Sequence, residues 1–318
     1  MTKLEYRKDY KELYKVEVKS SIMKFISAKT IVSGYSDTNN NWFGNNYNMN
    51  IYKGCCHGCI YCDSRSDCYH IDNFDEVRAK ENALALINHD LKSKRKTGVI
   101  ATGAMSDPYN PLEKEYKLTR GALELINIYG FGVSIYTKSN LIRRDIDILS
   151  KIQTHSPVII NITITTCDDE LCKKIEPNAP LSSKRFAAVK DLTTNGIFAG
   201  ILLTPVLPFL EDNEENIGSI IRLAYESGAK FIYPSFGVTL RQNQRTWYYK
   251  KLDELFPTLK QKYINQYNNN YECNSAKAFE LKQFFQKECD KLGLLYKMKD
   301  IIEGYRHGYG NTQLSLFD

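Results

Sequence analysis

Cys55, Cys59 and Cys62 stand in "GCCHGCIYC" (54–62), separated by three and then two residues, with Cys56 beside the first. Clustered thiols of this kind suit a zinc site, a disulfide knot, a redox pair or an iron–sulfur cradle. Nine cysteines in 318 residues are too sparse for a disulfide scaffold. A closed zinc site takes four ligands, commonly in CxxC pairs, whereas three thiolates on one tight loop leave a fourth metal position free. A [4Fe–4S] cluster held by three cysteines keeps one iron open to a small-molecule ligand. Cys56 is out of register and is expected to be a packed neighbour. Cys172, Cys273 and Cys289 lack the compact spacing of a second cluster.

The elements that must position this loop alternate between two periods. "NMNIYKG" (48–54), "GVIATGA" (98–104), "GVSIYTK" (132–138), "PVIINITIT" (157–165), "GIFAGILLT" (196–204) and "AKFIYPSFG" (229–237) are short, apolar and β-branched, as strands buried on both faces are. Between them, Leu118, Ala122, Leu125, Ile126 and Tyr129 recur at helical steps, as do Phe186, Val189 and Leu192, with Gly196 ending the second helix. Asp212 is expected to cap a helix reaching about Ser227, with Glu215 as its capping-box partner. Six strand–helix units imply parallel strands joined by right-handed crossovers. The expected fold is α/β, an open or partial barrel of the (β/α)6 kind, with a doubly wound sheet as the alternative. In either, chemistry collects at the C-terminal ends of the strands, where the cysteine loop falls.

Residues 48–240 form the expected core. Residues 1–47 form an N-terminal extension with an Asn-rich loop. Residues 241–318 form a C-terminal extension with helices near 243–256 and 275–292 and a Gly/Tyr-rich tail. No apolar run reaches 18 residues, and residues 1–30 show no apolar signal core, so a cytoplasmic protein is expected. The net charge of +6 is compatible with a nucleic-acid partner without showing one. Lys92, Lys94, Arg95 and Lys96 read as the solvated end of a helix.

Three thiols after a strand in a βα array resemble the radical S-adenosylmethionine (SAM) enzymes, and the likeness extends along the chain. "YKGCCHGCIYC", "SDPYNPLE" (106–113), "TKSNLIRRDIDIL" (137–149), "TITTCDDELCKKIEPNAPLSSKR" (163–185) and "PVLPFLED" (205–212) occur in an order similar to the spore photoproduct lyase-related group of that superfamily. The resemblance implies a [4Fe–4S] cluster on Cys55, Cys59 and Cys62 and reductive cleavage of SAM to a 5′-deoxyadenosyl radical that abstracts a hydrogen atom. It also implies an electron donor such as flavodoxin or ferredoxin, and DNA as substrate in lesion repair; a peptide, tRNA or small-molecule substrate is the alternative. Characterised lyases of the group carry tyrosines on both sides of the last cluster cysteine. Tyr61 matches the first, and Asp63 replaces the second. They also use a hydrogen-donor cysteine near the end of the second strand, where this chain reads "ATGAMSDPY".

On this resemblance, Tyr61 is a candidate catalytic residue and Lys138 a candidate partner of the SAM carboxylate. Arg185 is a second carboxylate contact or a helix-face arginine. Thr163 and Thr165 share one side of a strand and could reach the ribose hydroxyls. Ser106, Asp107 and Tyr109 stand at the mouth to bind the SAM amino group or the substrate, unless "DPYNP" is simple turn chemistry. Glu176 is expected to fix the loop after the fourth strand. Cys167 is an alternative hydrogen donor or a small buried cysteine.

The residues Gln313, Leu314, Ser315, Leu316 and Phe317 match the bacterial sliding-clamp binding motif, in which two apolar side chains enter a pocket and the glutamine binds at its rim. The competing reading is a terminal segment docked on its own core. Clamp binding would place the protein at DNA, and a non-catalytic clamp-binding iron–sulfur protein is then a third possibility. "RQNQRTWYYKK" (241–251) interleaves cations with aromatic residues, as base-stacking surfaces do and as core helices also do.

Overall fold

The structure, a computed structural model, describes residues 23–35 and 42–309. Its strands are β1 (Lys24–Ile26), β2 (Val32–Gly34), β3 (Tyr47–Met49), β4 (Tyr52–Lys53), β5 (Arg78–Lys80), β6 (Val99–Thr102), β7 (Gly132–Thr137), β8 (Val158–Thr163), β9 (Ala199–Leu203), β10 (Ile232–Pro234), β11 (Gly237–Thr239) and β12 (Glu272–Asn274). The main sheet runs β10-β9-β8-β7-β6-β3-β2. Every neighbouring pair in it is parallel except β2 with β3. From β3 to β10 the spatial order follows the chain without reversal. Right-handed crossovers then place every connecting helix on one face, so the sheet winds in one direction as a partial barrel. A doubly wound sheet needs a reversal point, and none occurs here.

Alternation along each strand divides the core in two. Ile100, Val133, Ile135, Ile160, Ile162, Ile201 and Leu203 face the helical layer. Val99, Ala101, Tyr136, Ile159 and Leu202 face inward, where Phe43, Phe231, Ile301 and Tyr305 meet them. The helices follow from their apolar spacing: Leu118, Ala122, Leu125 and Ile126 are buried along Leu118–Ile128, and Phe186, Val189 and Leu192 along Ser182–Thr194.

Several expectations are corrected. The first expected strand breaks after Met49: β3 stays in the main sheet, while β4 turns away to pair with β5, beside β1. Asn213, not Asp212, caps Glu214–Glu226, accepting from Asn216 N at 2.9 Å. Asp212 is occupied by Phe209 N at 2.6 Å and Ser275 Oγ at 2.6 Å. Helices Leu259–Tyr267 and Met298–Arg306 lie where no helix was expected, the latter in the supposed Gly/Tyr-rich tail. The flanks also interlock with the barrel. Phe231 of the barrel bridges Leu295, and Tyr305 Oη joins the two flanks by donating to Phe43 O at 2.7 Å. No helix among the described residues is long and apolar enough to cross a membrane.

Candidate functional site

The cysteine loop leaves β4 through Gly54, whose φ of +82° is the left-handed region that favours glycine. A side chain there would collide with the Glu76 and Phe74 carbonyls. Cys55 N donates to Phe74 O at 2.8 Å, and Ile60 N donates to Ile175 O at 2.9 Å. Asn178 binds the loop twice, from its backbone N to His57 O at 3.0 Å and from Nδ2 to Cys56 O at 2.9 Å. Segments far apart in sequence therefore shape the loop that carries the three thiols.

Two buried carboxylates brace it. Asp107 follows β6. Its Oδ1 accepts from Tyr109 N at 2.8 Å and Thr137 Oγ1 at 2.7 Å; its Oδ2 accepts from Lys138 N at 2.8 Å and lies 3.4 Å from His57 Nδ1. Ser106 donates its hydroxyl to Gly54 O. Glu176, at the end of helix Asp169–Ile175, accepts from the Tyr61 hydroxyl, pairs with Arg185 Nη2 at 2.5 Å and stands 4.0 Å from Lys138 Nζ. Arg185 also donates to Pro180 O at 2.7 Å and Thr163 O at 3.0 Å. Burial alone would push Glu176 upward; Arg185, Lys138 and the Tyr61 hydroxyl together hold it below the usual carboxylate range.

The three thiols share this environment. Burial pushes Cys55 up to about 12 and raises Cys59 and Cys62 as well. All three influence one another electrostatically. Lys138 opposes burial at Cys59 and Cys62, and those thiols with Glu176 hold its ammonium above the usual value despite burial. Thiolates here need positive charge brought in, which a metal centre provides. Among the described residues no three His, Cys, Asp or Glu side chains converge as ligands of a single ion. A cubane makes a different demand, since each thiolate binds its own iron corner and the sulfurs stand apart. Three thiols on one braced loop, Cys59 buried and Cys55 and Cys62 half-buried, beside one cation, fit a cluster of that type.

Other expected site residues lie elsewhere or are already engaged. Tyr61 is buried with its hydroxyl on Glu176, so it anchors the loop rather than facing an open site. Arg185 is 0% exposed and enclosed by Glu176, Pro180 and Thr163, which sets aside the helix-face alternative and leaves its guanidinium engaged within the protein. Tyr109 is buried in the outer layer with the Arg144 guanidinium 5.9 Å from its ring centre, not at the mouth. The Cys167 thiol faces Ser219 of helix Glu214–Glu226, with Asp168 and Glu215 nearby, so the structure does not bring it to the cysteine loop. Gln313, Leu314, Leu316 and Phe317 lie outside the described residues.

Glu211 and Arg65 carried no signal in the sequence. Glu211 is fully buried in the loop after β9, where burial pushes its carboxyl up to about 8 against the pull of Leu207 N–H and the Thr165 hydroxyl. Glu211 Oε1 and Thr165 Oγ1 complete no hydrogen bond of good geometry with the protein. Asp63 accepts from Tyr69 Oη at 2.6 Å and Arg241 Nε at 3.1 Å, joining the cysteine loop to the C-terminal helices. Gln244 extends that junction by donating to Tyr61 O at 2.9 Å. Arg65 lies between Phe74 and Trp247, with its guanidinium 4.7 and 4.0 Å from their ring centres. Tyr248 is buried against Tyr263. The aromatic–basic stretch thus fastens the helix Gln244–Leu255 onto the cysteine loop.

The family model described as the radical SAM superfamily matches residues 49–224, more than half of the chain. This protein belongs to the radical SAM superfamily. An uncharacterised protein of Mycobacterium tuberculosis is 30% identical over 230 residues, covering 70% of this chain and 67% of its own. An uncharacterised protein of Methanocaldococcus jannaschii is 38% identical over 178 residues, covering 55% of this chain and 66% of its own. Among solved structures, spore photoproduct lyase complexed with dinucleoside spore photoproduct superposes with a TM-score of 0.60 at 13% identity, over 84% of this chain and 79% of that one. A mutant of that lyase with bound SAM and the same dinucleoside superposes with a TM-score of 0.57 at 14% identity, over 78% of this chain and 74% of that one. The superfamily and the partial-barrel fold expected from the motifs are therefore met.

Proposed function

We propose that this radical SAM protein is an enzyme that cleaves SAM and acts on DNA. The observation that carries the first part is the loop bearing Cys55, Cys59 and Cys62, braced at the C-terminal ends of the strands beside Lys138. In this reading the three cysteines hold a [4Fe–4S] cluster and leave one iron to SAM. When bound, cluster and SAM supply one-electron cleavage of the sulfonium–C5′ bond and a carbon radical that takes a hydrogen atom from the substrate. Lys138 orients the SAM carboxylate, since its ammonium stays charged despite burial. Thr163 and Thr165 stand at the strand end where the ribose hydroxyls would lie, and Glu211 faces Thr165 there. Ser106, Asp107, Tyr61, Glu176 and Arg185 position the loop and the lysine. Burial of this network keeps water from the reacting atoms.

DNA as substrate is supported by the fold shared with a lyase whose solved structures hold a dinucleoside photoproduct, and by the clamp-like motif at residues 313–317. Asp63 favours a reaction other than photoproduct reversal. Where characterised lyases carry a second tyrosine, this carboxylate is tied to Arg241 and Tyr69. Anaerobic reconstitution with reductant and SAM should yield 5′-deoxyadenosine; none from cluster-loaded protein rejects the enzymatic reading. Product analysis with ultraviolet-damaged DNA tests the substrate. Sliding-clamp capture should be lost in Leu316→Ala and Phe317→Ala, and equal capture by both variants and the parent removes the clamp from the proposal.

A further inference from the structure

The loop after β9 contains a turn closed by Leu210 N donating to Leu207 O at 3.2 Å, with Pro208 and Phe209 at its centre. Phe209 has a φ of +67°. A turn with proline first and positive φ second is the type II pattern, which calls for glycine or asparagine at that second place. A bulky aromatic residue there is strained, and such strain persists where the surroundings impose it. The imposing contacts are Phe209 N to Asp212 Oδ1 at 2.6 Å and Tyr263 Oη to Pro208 O at 3.1 Å.

Burial repays the strain less fully here than elsewhere. Phe43 also has positive φ, at +50°, but it is fully buried in the inner core. Phe209 stays 37% exposed. Tyr263 meets it edge-on at 5.4 Å, and Tyr267 lies tilted at 6.3 Å; among the described residues no ring stacks parallel on it. Its own loop reaches the site, because Leu207 and Leu210 pack with Cys59, Ile60 and Tyr61, and Glu211 faces Thr165.

We infer that Phe209 is a substrate-contacting residue whose ring stacks on an unpaired nucleobase at the mouth of the barrel. The inference rests on the DNA reading above. A π-face beside the site is sequence-tolerant, so it would hold a base in place without choosing which base.

The test uses the full chain with a single-stranded oligothymidylate carrying 2-aminopurine, whose fluorescence is quenched by stacking. The parent protein should bind and quench. Phe209→Leu keeps bulk without a π-face, and Phe209→Gly suits the turn; both should bind about tenfold more weakly and lose most of the quench. Phe209→Trp should restore both. Leucine and glycine variants that bind and quench like the parent overturn the inference and leave the DNA reading intact. A parent protein that binds no oligonucleotide overturns the DNA reading, and the inference with it.

Discussion

The loops after β8 and β9 each carry one fully buried glutamate beside Tyr61, and the two carboxyls differ in state. Glu176 has Arg185 and Lys138 against it and is held ionised, below its usual range. Glu211 instead has the Glu176 and Asp212 carboxylates nearby, and burial raises it to about 8. Equal burial therefore gives opposite outcomes, and the partner charge decides. The ionised member ties the cysteine loop to its lysine. The protonated member can donate a hydrogen bond to a ligand, as an ionised carboxylate cannot.

Removing the ionised member should do the most damage. Glu176→Ala leaves Arg185 buried without its counter-charge, and breaking such a pair costs about 3–5 kcal/mol. Urea unfolding at neutral pH measures this, and a loss below about 1 kcal/mol would break the comparison. The stabilisation from Glu176 should be present above the unfolded glutamate value of about 4.3 and lost as pH falls through its lower folded value.

Glu211 should show the opposite slope. Its folded value of about 8 exceeds the unfolded one, so the folded state binds the extra proton. Stability is then highest below the unfolded value of about 4.3 and erodes as pH rises toward 8, by at most about 1.4 kcal/mol per unit. Glu211→Gln mimics the protonated carboxyl and should flatten that erosion in unfolding series from pH 5 to 8. A variant profile parallel to the parent's would show that Glu211 is ionised after all.

Lys138→Met keeps the Glu176–Arg185 pair and removes the cation beside the thiols. Losing a charged hydrogen bond of about 1.5–3 kcal/mol should weaken SAM binding about 10- to 100-fold, read by equilibrium dialysis on cluster-loaded protein. Unchanged affinity would leave the lysine as a partner of Glu176 alone. The smallest effect should come from Asp63→Asn, since Asp63 and Arg241 are 35% and 39% exposed. Such a pair contributes about 0.2–1 kcal/mol, and the loss should shrink further in high salt.

The six core strands were legible because apolar β-branched runs leave few other interpretations, and the cysteine spacing because ligand sets on one loop are local. Arg185 stayed open between a carboxylate contact and a helix-face residue for the opposite reason. A charged residue on a helix reads as solvent-facing, and only Glu176, Pro180 and Thr163 around it make burial tolerable. Cys167 stands at a strand's end in the sequence, yet its thiol faces the outer layer near Ser219. Glu211 sat inside a quoted motif without a role, because a carboxyl's state depends on what surrounds it. The split of the first strand escaped notice because β4 pairs with β5, more than twenty residues further along the chain.

The sequence by itself determined the donor chemistry and the winding. Three thiols at fixed spacing and the alternation of strand and helix are local properties that need no partner to be read. The tertiary structure alone decided which charges are buried together. That pairing sets Glu176 ionised and Glu211 protonated, places Lys138 beside the thiols and ties Asp63 to the C-terminal helices. A buried group's protonation depends on the distance and sign of its neighbours, and those neighbours come together only when the barrel closes around them.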